Sequence, residues 1–510
     1  MTSKNIAKSV ILVNIFSAAG FFLTLLFQII FAKEFGVSGL TDAYIGACAL
    51  PVSFVAIASS LLEKTFIPVF FEYKNRAADA RYSIHNFFTI YFIFLVFLSV
   101  VCFAASPFII RLVLPGFEAV GFSMALAMLK MLLPIFILGG LIGLLTSMHY
   151  AHSAFIFPNV CSSVKWITAI IFMLYFKGRY GIFAVAGGIV AGYTFQFLML
   201  LYSTFKNITG LRFIFNLKDV FLRKVVMLMG PLMIANAFNT FNIIVMTRTA
   251  SVMSAGSITC LDYAYKIMTI SVFLCVQGIS VVLFPMFSRL ASEGNISKLK
   301  KLFTDSQRIL LMIVMPIIGG LIIFRHPVIR LLLERGEFGP ESTNKISALV
   351  FGFSGAFFGL ALGTIQSQIY YAIKNTKRVM FITFIQMVVF VCMIFMLRSV
   401  MSIYIIAIFF SAAIFIGCCL NYFHINKILG IRAMRQDAVF IFKILIATVS
   451  MGAVGFVAFS LLKAHLPLVF VPFVAASMLS AAVYFIFIRY VFDIDELRFA
   501  SNVLFSKKYE

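Results

Sequence analysis

NFFTIYFIFLVFLSVVCFAA, residues 86–105, runs for twenty positions without a charged side chain. About twenty apolar residues in a helix, rising about 1.5 Å each, cross the hydrocarbon core of a bilayer. Hydrocarbon offers a peptide group no hydrogen-bond partner, so the backbone must close on itself as a helix or as a barrel. A barrel strand would alternate apolar and polar residues with period two, and this stretch does not. It is expected to be a membrane-spanning helix. Outward from it, comparable runs lie near 9–32, 43–62, 122–147, 155–176, 181–205, 225–247, 264–287, 305–324, 346–372, 379–397, 402–423, 438–461 and 468–490. The fold expected is all-α, with about fourteen transmembrane helices.

Composition points the same way. Of 510 residues, 62% are hydrophobic and 12% charged, about half the charged share of a soluble domain. A net charge of +23 raises the question of nucleic acid. Lys and Arg sit mostly in the breaks between spans, however, where they fix topology and meet anionic lipid. No basic stripe with interleaved aromatics stands apart, so membrane lipids are expected as partners and nucleic acid is not. All eight Cys except Cys260 fall well inside apolar runs and read as small buried hydrophobes. His149 and His152 share a helical face without a nearby carboxylate, which is no metal set. No metal and no cofactor are expected. The first run lacks a small-residue cleavage site and is expected to be a retained span.

The basic residues orient the chain. With Lys4 and Lys8 in the cytoplasm, the cytoplasmic breaks hold Lys64, Lys74, Arg76 and Arg81; Lys206, Arg212, Lys218, Arg223 and Lys224; Arg289, Lys298, Lys300 and Lys301; Lys374, Lys377 and Arg378; and Lys427, Arg432 and Arg435. The other side collects fewer, mainly Arg325, Arg330, Arg335 and Lys345. The bias places both termini in the cytoplasm, which needs an even number of spans.

The chain also repeats. Phe66-Ile67-Pro68-Val69-Phe70 returns as Leu283-Phe284-Pro285-Met286-Phe287, and Pro107-Phe108-Ile109-Ile110-Arg111-Leu112 as Pro327-Val328-Ile329-Arg330-Leu331. Asp42 matches Asp262, and Tyr150-Ala151 matches Tyr371-Ala372. Four landmarks in one order mark an internal duplication. Each copy holds six spans, an even number, so both start on one side and form two parallel-related lobes. The division expected is an N-lobe at 1–205, a cytoplasmic linker at 206–224, a C-lobe at 225–424, and two added spans with a cytoplasmic tail at 425–510. The basic linker is expected to lie along the membrane as an amphipathic segment.

Several landmarks carry a family resemblance: Thr41-Asp42-Ala43-Tyr44 before Leu50-Pro51; Phe66-Ile67-Pro68 with Glu72-Tyr73; Pro115-Gly116-Phe117; Leu129-Lys130-Met131-Leu132-Leu133-Pro134; Gly192 with Gln196; Met229-Gly230-Pro231; Tyr263-Ala264-Tyr265-Lys266; and Glu334-Arg335-Gly336-Glu337-Phe338. In this order, on fourteen spans, the chain resembles the MurJ/MviN lipid II flippases of the multidrug/oligosaccharidyl-lipid/polysaccharide exporter superfamily. The resemblance implies two six-helix lobes around a central cavity, and a groove for a lipid tail at the last two helices. It implies passage of a polyprenyl-diphosphate-linked saccharide from the inner to the outer leaflet of the bacterial cytoplasmic membrane, with no covalent reaction. The family's cavity arginines in spans one and two have no counterpart in 14–30 or 51–62, and Lys266 stands where the family has an arginine in span eight.

Ionisable side chains within spans are few, and each needs a partner or water. Lys165, Lys266, Lys130 and Arg308 are the candidate cations for a diphosphate, each with an interfacial anchor as its alternative. Gln196, Asn236 and Asn239 are candidates for sugar hydroxyls, as are Asn14, Gln28 and Asn242; bonding between helices is the alternative. Asp42 and Asp262 are candidates for gating or for a coupling ion, and the alternative is that each caps the helix it opens. Pro and Gly interrupt spans at Pro51, Pro134 with Gly139-Gly140, Gly187-Gly188, Gly230-Pro231 and Pro316 with Gly319-Gly320, where a lobe could bend.

The expectation is therefore a flippase working by alternating access, driven by the membrane potential or a coupling ion. A multidrug/ion antiporter of the same superfamily would need only twelve spans. A glycan polymerase or ligase would need a catalytic set that the stretch around Glu334, Glu337 and Glu341 does not supply. An enzyme is not expected, and the sequence sets no oligomeric state.

Overall fold

A computed structural model describes residues 3–73, 77–152, 154–207, 212–397, 401–431, 434–465 and 469–491. Each of the fourteen apolar runs lies on a helix or on a broken helix pair, and no strand occurs among the described residues. The expected tail beyond 491 and the side chain of Asn14 lie outside that description. Eleven helices among the described residues are long and apolar enough to cross a membrane, or up to thirteen if each of two bent pairs is one span. The expected run 9–32 lies on a further helix, Ser3–Phe35.

The described chain separates into two compact units, 1–259 with 335–338, and 260–334 with 339–510. The first holds α1 (Ser3–Phe35), α2 (Gly39–Tyr73), α3 (Ala77–Ala104), α4 (Ser106–Val113), α5 (Ala119–Leu132), α6 (Pro134–Ala151), α7 (Ile156–Tyr180), α8 (Phe183–Asn207) and α9 (Val220–Ser251). The first three residues of α10 (Ser257–Ser292) also belong to it. The second holds the rest of α10, then α11 (Ile296–Ile323), α12 (Arg325–Leu333), α13 (Pro340–Gly352), α14 (Ser354–Ala372), α15 (Thr376–Met396), α16 (Ile403–Leu429), α17 (Met434–His465) and α18 (Phe470–Ile486).

The element order repeats beyond what the sequence landmarks suggest. A short helix follows the third long one in each copy, α4 after α3 and α12 after α11. A broken helix follows it, α5 with α6 at Leu133 and α13 with α14 at Phe353. The second break bends by 46°. Equivalent helices are even tied at equivalent places. His149 Nε2 on α6 meets Ser203 Oγ on α8 at 3.0 Å, and Tyr370 Oη on α14 meets His424 Nδ1 on α16 at 2.8 Å. The imidazole lies on α6 in the first copy and on α16 in the second, but a bond across the pair is kept.

Apolar area drives little helix association in lipid, so close packing of small residues matters more. In the first unit α7 and α8 meet along Gly188 and Gly192, one turn apart. A Cβ on Gly188 would stand 2.8 Å from the Ala169 carbonyl oxygen, and one on Gly192 2.5 Å from that of Lys165. The segment leading into α9 is not helical before Val220 but runs extended against α3. Asn86 Nδ2 donates to the Asn216 carbonyl at 2.8 Å, the Asn216 amide donates back to Asn86 Oδ1 at 2.6 Å, and the Ile214 amide donates to Thr89 Oγ1 at 3.1 Å. Asp219 then caps α9 through the Phe221 amide. All eight cysteines are free, but the expectation of small buried hydrophobes holds only in part: Cys102, Cys161 and Cys418 are buried, as is Cys260, whereas Cys48, Cys275 and Cys419 are half-buried and Cys392 is exposed.

Filling the α7–α8 contact should loosen the first unit. Gly192→Leu is expected to destabilise by about 1–3 kcal/mol, the usual cost of overpacking, and to lower the melting temperature in detergent. Gly320→Ala, where a Cβ meets nothing within 4 Å, should leave it unchanged.

Candidate functional site

The candidate cations differ in what they face. Lys165 is half-buried on α7. Its ammonium stands over the rings of Trp166 at 4.8 Å and Tyr193 at 4.7 Å, and Trp166 packs in turn on Phe27 of α1 at 5.2 Å. Tyr193 follows Gly192 directly, so the close α7–α8 contact sets the aromatic ring under the lysine. Among the described residues no carboxylate lies within ion-pair distance of Lys165. Two aromatic faces hold the charge without cancelling it. Gln196 lies three residues beyond Tyr193, on the same side of α8. It is buried, and its Oε1 has no hydrogen-bond partner among the described residues.

Lys266 stands differently. Its Nζ meets Asp262 Oδ2 at 2.6 Å, one turn back on α10. Two candidates that the sequence assigned to separate tasks are thus brought together as an ion pair. Asp262 lies well inside α10, so the alternative that it caps that helix fails. Arg308 is bound by a carboxylate as well. Its Nη2 and Nε lie 3.0 and 3.3 Å from Asp437 Oδ1, Tyr422 Oη donates to Asp437 Oδ2 at 2.6 Å, and the guanidinium covers Phe440. This residue ties α11 to α17. Lys130 is exposed on α5 over the ring of Phe103 at 5.2 Å, on neighbours that it does not share with Lys165.

On α9, Asn236, Asn239 and Asn242 follow at intervals of three and form one stripe. Asn236 is half-buried and donates to its own helix at Leu232, Asn239 is exposed, and Asn242 is buried with Oδ1 unpaired among the described residues.

Asp42 has the most definite role. It is buried, and it does not cap its own helix: Ser38 and Thr41 do that by exchanging backbone and hydroxyl bonds. Its carboxylate instead caps α10 from outside. Oδ2 accepts from the Gly256 amide at 2.7 Å, and Oδ1 accepts from the Thr259 amide at 2.7 Å and the Thr259 hydroxyl at 2.6 Å. An anion at a helix N-terminus satisfies free amides and complements the macrodipole.

Around it two loops close reciprocally, all within the first unit. The loop after α4 brings Gly116 to the end of α9, where a Cβ would stand 2.1 Å from the Ser251 carbonyl oxygen. The loop after α12 brings Gly336 to the end of α1, where a Cβ would stand 2.3 Å from the Lys33 carbonyl oxygen. The Glu337 amide donates to that same oxygen at 2.9 Å. Glu34 pairs with Lys177 next to it. Gly116 and Gly336 belong to two of the sequence landmarks, but the contact each makes was not legible there. The partners Gly256, Thr259 and Asp437 were missed for the same reason: each lies far along the chain from Asp42 or Arg308, which it binds.

Among the described residues no group of three or more His, Cys, Asp or Glu could hold a metal ion.

Known proteins share this architecture. A model of the family "Lipid II flippase MurJ" matches residues 31–476. A probable lipid II flippase MurJ of Buchnera aphidicola (from Schizaphis graminum) is 28% identical over 347 residues, and the match spans 66% of this chain and 66% of that protein's own length. A solved structure described as lipid II flippase MurJ in an inward closed conformation superposes with a TM-score of 0.79 at 22% identity, covering 95% of this chain and 100% of that one. An inward-facing multidrug resistance MATE family transporter of the MOP superfamily follows with a TM-score of 0.67 at 14% identity, over 80% of this chain and 94% of that one; both likenesses concern the fold. With the family model matched along most of its length, this multi-pass membrane protein belongs to the lipid II flippase MurJ family.

Proposed function

We propose that this protein carries a polyprenyl-diphosphate-linked saccharide, lipid II or a close relative of it, from the inner to the outer leaflet of the bacterial cytoplasmic membrane. Both termini lie in the cytoplasm. The lobes at 1–205 and 225–424 rock about the cargo while its lipid tail stays in the bilayer, and no covalent step is involved. The observation that carries this reading is Lys165, a cation within a span that is stacked on two rings and matched by no carboxylate among the described residues. A charge at membrane depth costs about 2.5–3.5 kcal/mol, and a ring face returns about 0.5–1 kcal/mol where the cation is not fully buried, as Lys165 is not. An anionic head group supplies the remainder. In the second unit Lys266 becomes available to an anion only by exchanging Asp262 for it. The unpaired amides of Gln196 and Asn242 offer hydrogen bonds to sugar hydroxyls, with Asn236 and Asn239 along the same α9 stripe. Movement of net charge lets the membrane potential drive the cycle at about 2.3 kcal/mol per charge per 100 mV. The multidrug antiporter reading shares the fold and no residue specific to it.

In this reading the Asp42 cap and the two glycine contacts form the closed outer gate. The gate opens when Asp42 releases the α10 N-terminus, so each cycle breaks and remakes three bonds.

Lys165→Ala in reconstituted vesicles should weaken binding of a diphosphate-linked lipid by about ten- to a hundredfold, the usual loss of a charge-assisted hydrogen bond. Lys165→Arg should retain most of it. Wild-type binding by the alanine variant, at normal protein yield, would refute the role of Lys165.

The gate has its own test. A Cβ on Gly39 stands 3.8 Å from the Ala255 Cβ, the usual spacing across a disulfide. Oxidised Gly39→Cys/Ala255→Cys protein should lose transport, and a reductant should restore it. Undiminished transport by the fully crosslinked protein would show that these segments do not part.

A further inference from the structure

The second unit contains a cavity that the transport reading does not use. Four helices, α11, α14, α16 and α17, enclose about 250 Å³. Its walls are chiefly aromatic and aliphatic, with Phe303, Phe358, Leu362, Phe415 and Phe440 prominent. Among the described residues α18 contributes nothing to it, so it is not the groove expected from the last two helices together.

Three buried amides break the apolar lining, Gln307, Gln366 and Asn426, and both polar atoms of Asn426 are without a hydrogen-bond partner among the described residues. Gln307 is 5% exposed and Gln366 is 1% exposed. The donor Nε2 of Gln307 and the acceptor Oε1 of Gln366 have no hydrogen-bond partner among the described residues. The other end of Gln366 reaches only Cys418 Sγ, at 3.5 Å. Buried amides left open in an apolar pocket are costly, and such groups normally meet a ligand or water. The charge around the cavity is balanced: Arg308 is bound by Asp437, and Asp437 also accepts from Tyr422. An anionic head would have to displace that carboxylate. A neutral head would not.

The missing acceptor for Gln307 and the missing donor for Gln366 are both supplied by one hydroxyl. We propose that this cavity binds a neutral single-chain amphiphile bearing a hydroxyl, of the prenol or monoacylglycerol class. The hydroxyl accepts from Gln307 and donates to Gln366, and the chain lies among the phenylalanines. The site is separate from that of the diphosphate cargo, which requires a cation without a carboxylate.

Cys419 lines the cavity and is half-buried, so its alkylation reports occupancy. The full chain in phosphatidylcholine nanodiscs is treated with maleimide in the presence of farnesol, monoolein, oleate or octadecene, and Cys419 is followed by peptide mass spectrometry. At about ten times its dissociation constant, a bound ligand should slow alkylation about tenfold. Farnesol or monoolein should do so, whichever fits better identifying the source, and octadecene should not. Gln366→Leu should erase the preference for the hydroxyl. Leu362→Trp, which fills the cavity, should abolish protection by every ligand and serves if the first variant does not fold. Protection by octadecene equal to that by the alcohols, stronger protection by oleate, or none by any ligand would each overturn the proposal. The readout is binding at Cys419, so it stands or falls independently of transport.

Discussion

An unpaired peptide group in hydrocarbon has nothing to bond with, and the architecture follows from that constraint. Every apolar run lies on a helix because only a helix satisfies its own backbone in lipid. Where the broken spans interrupt, at Leu133 and at Phe353, the residue at the break is buried within protein. The start of α10 shows the rule at its sharpest. The Gly256 amide just before it and the Thr259 amide within it are satisfied by a carboxylate from another helix, Asp42, while the Ser257 amide returns to the Ser254 carbonyl.

Charge obeys the same economy. Several ionisable groups within or near the spans are matched: Asp262 with Lys266, Arg308 with Asp437, Glu34 with Lys177. Each pair joins helices or stiffens one, and each leaves its surroundings close to neutral. Against that background Lys165 differs, and unlike the exposed Lys130 over Phe103 it is half-buried between two rings. Aromatic rings support its ammonium but bring no opposite charge, and the glycines that let α8 approach α7 make that arrangement possible. Packing and electrostatics are therefore one problem at this place, since a larger residue at 192 would push Tyr193 away from the lysine.

The duplication explains why similar residues do dissimilar work. Asp42 and Asp262 occupy equivalent positions, yet one caps a helix in trans and the other pairs along its own helix. His149 with Ser203 and Tyr370 with His424 keep the bond and exchange the residues. The copies have retained a scaffold while their polar groups make different bonds.

Hydropathy alone determined the helical class and the approximate position of the apolar helices, because length and apolarity are local properties that the bilayer reads directly, and recurring short landmarks marked the internal repeat. The sequence also named Lys165, Lys266, Arg308, Asp42 and Asp262 as unusual, since charge within an apolar run is visible without coordinates. Their partners were decided only by tertiary structure. That Arg308 is tied to Asp437, that Lys165 has rings in place of a carboxylate, and that Gly116 and Gly336 touch carbonyls far along the chain depend on which helix faces meet. Helix packing in lipid is set by close fit and by bonds between distant residues, and no local pattern encodes these.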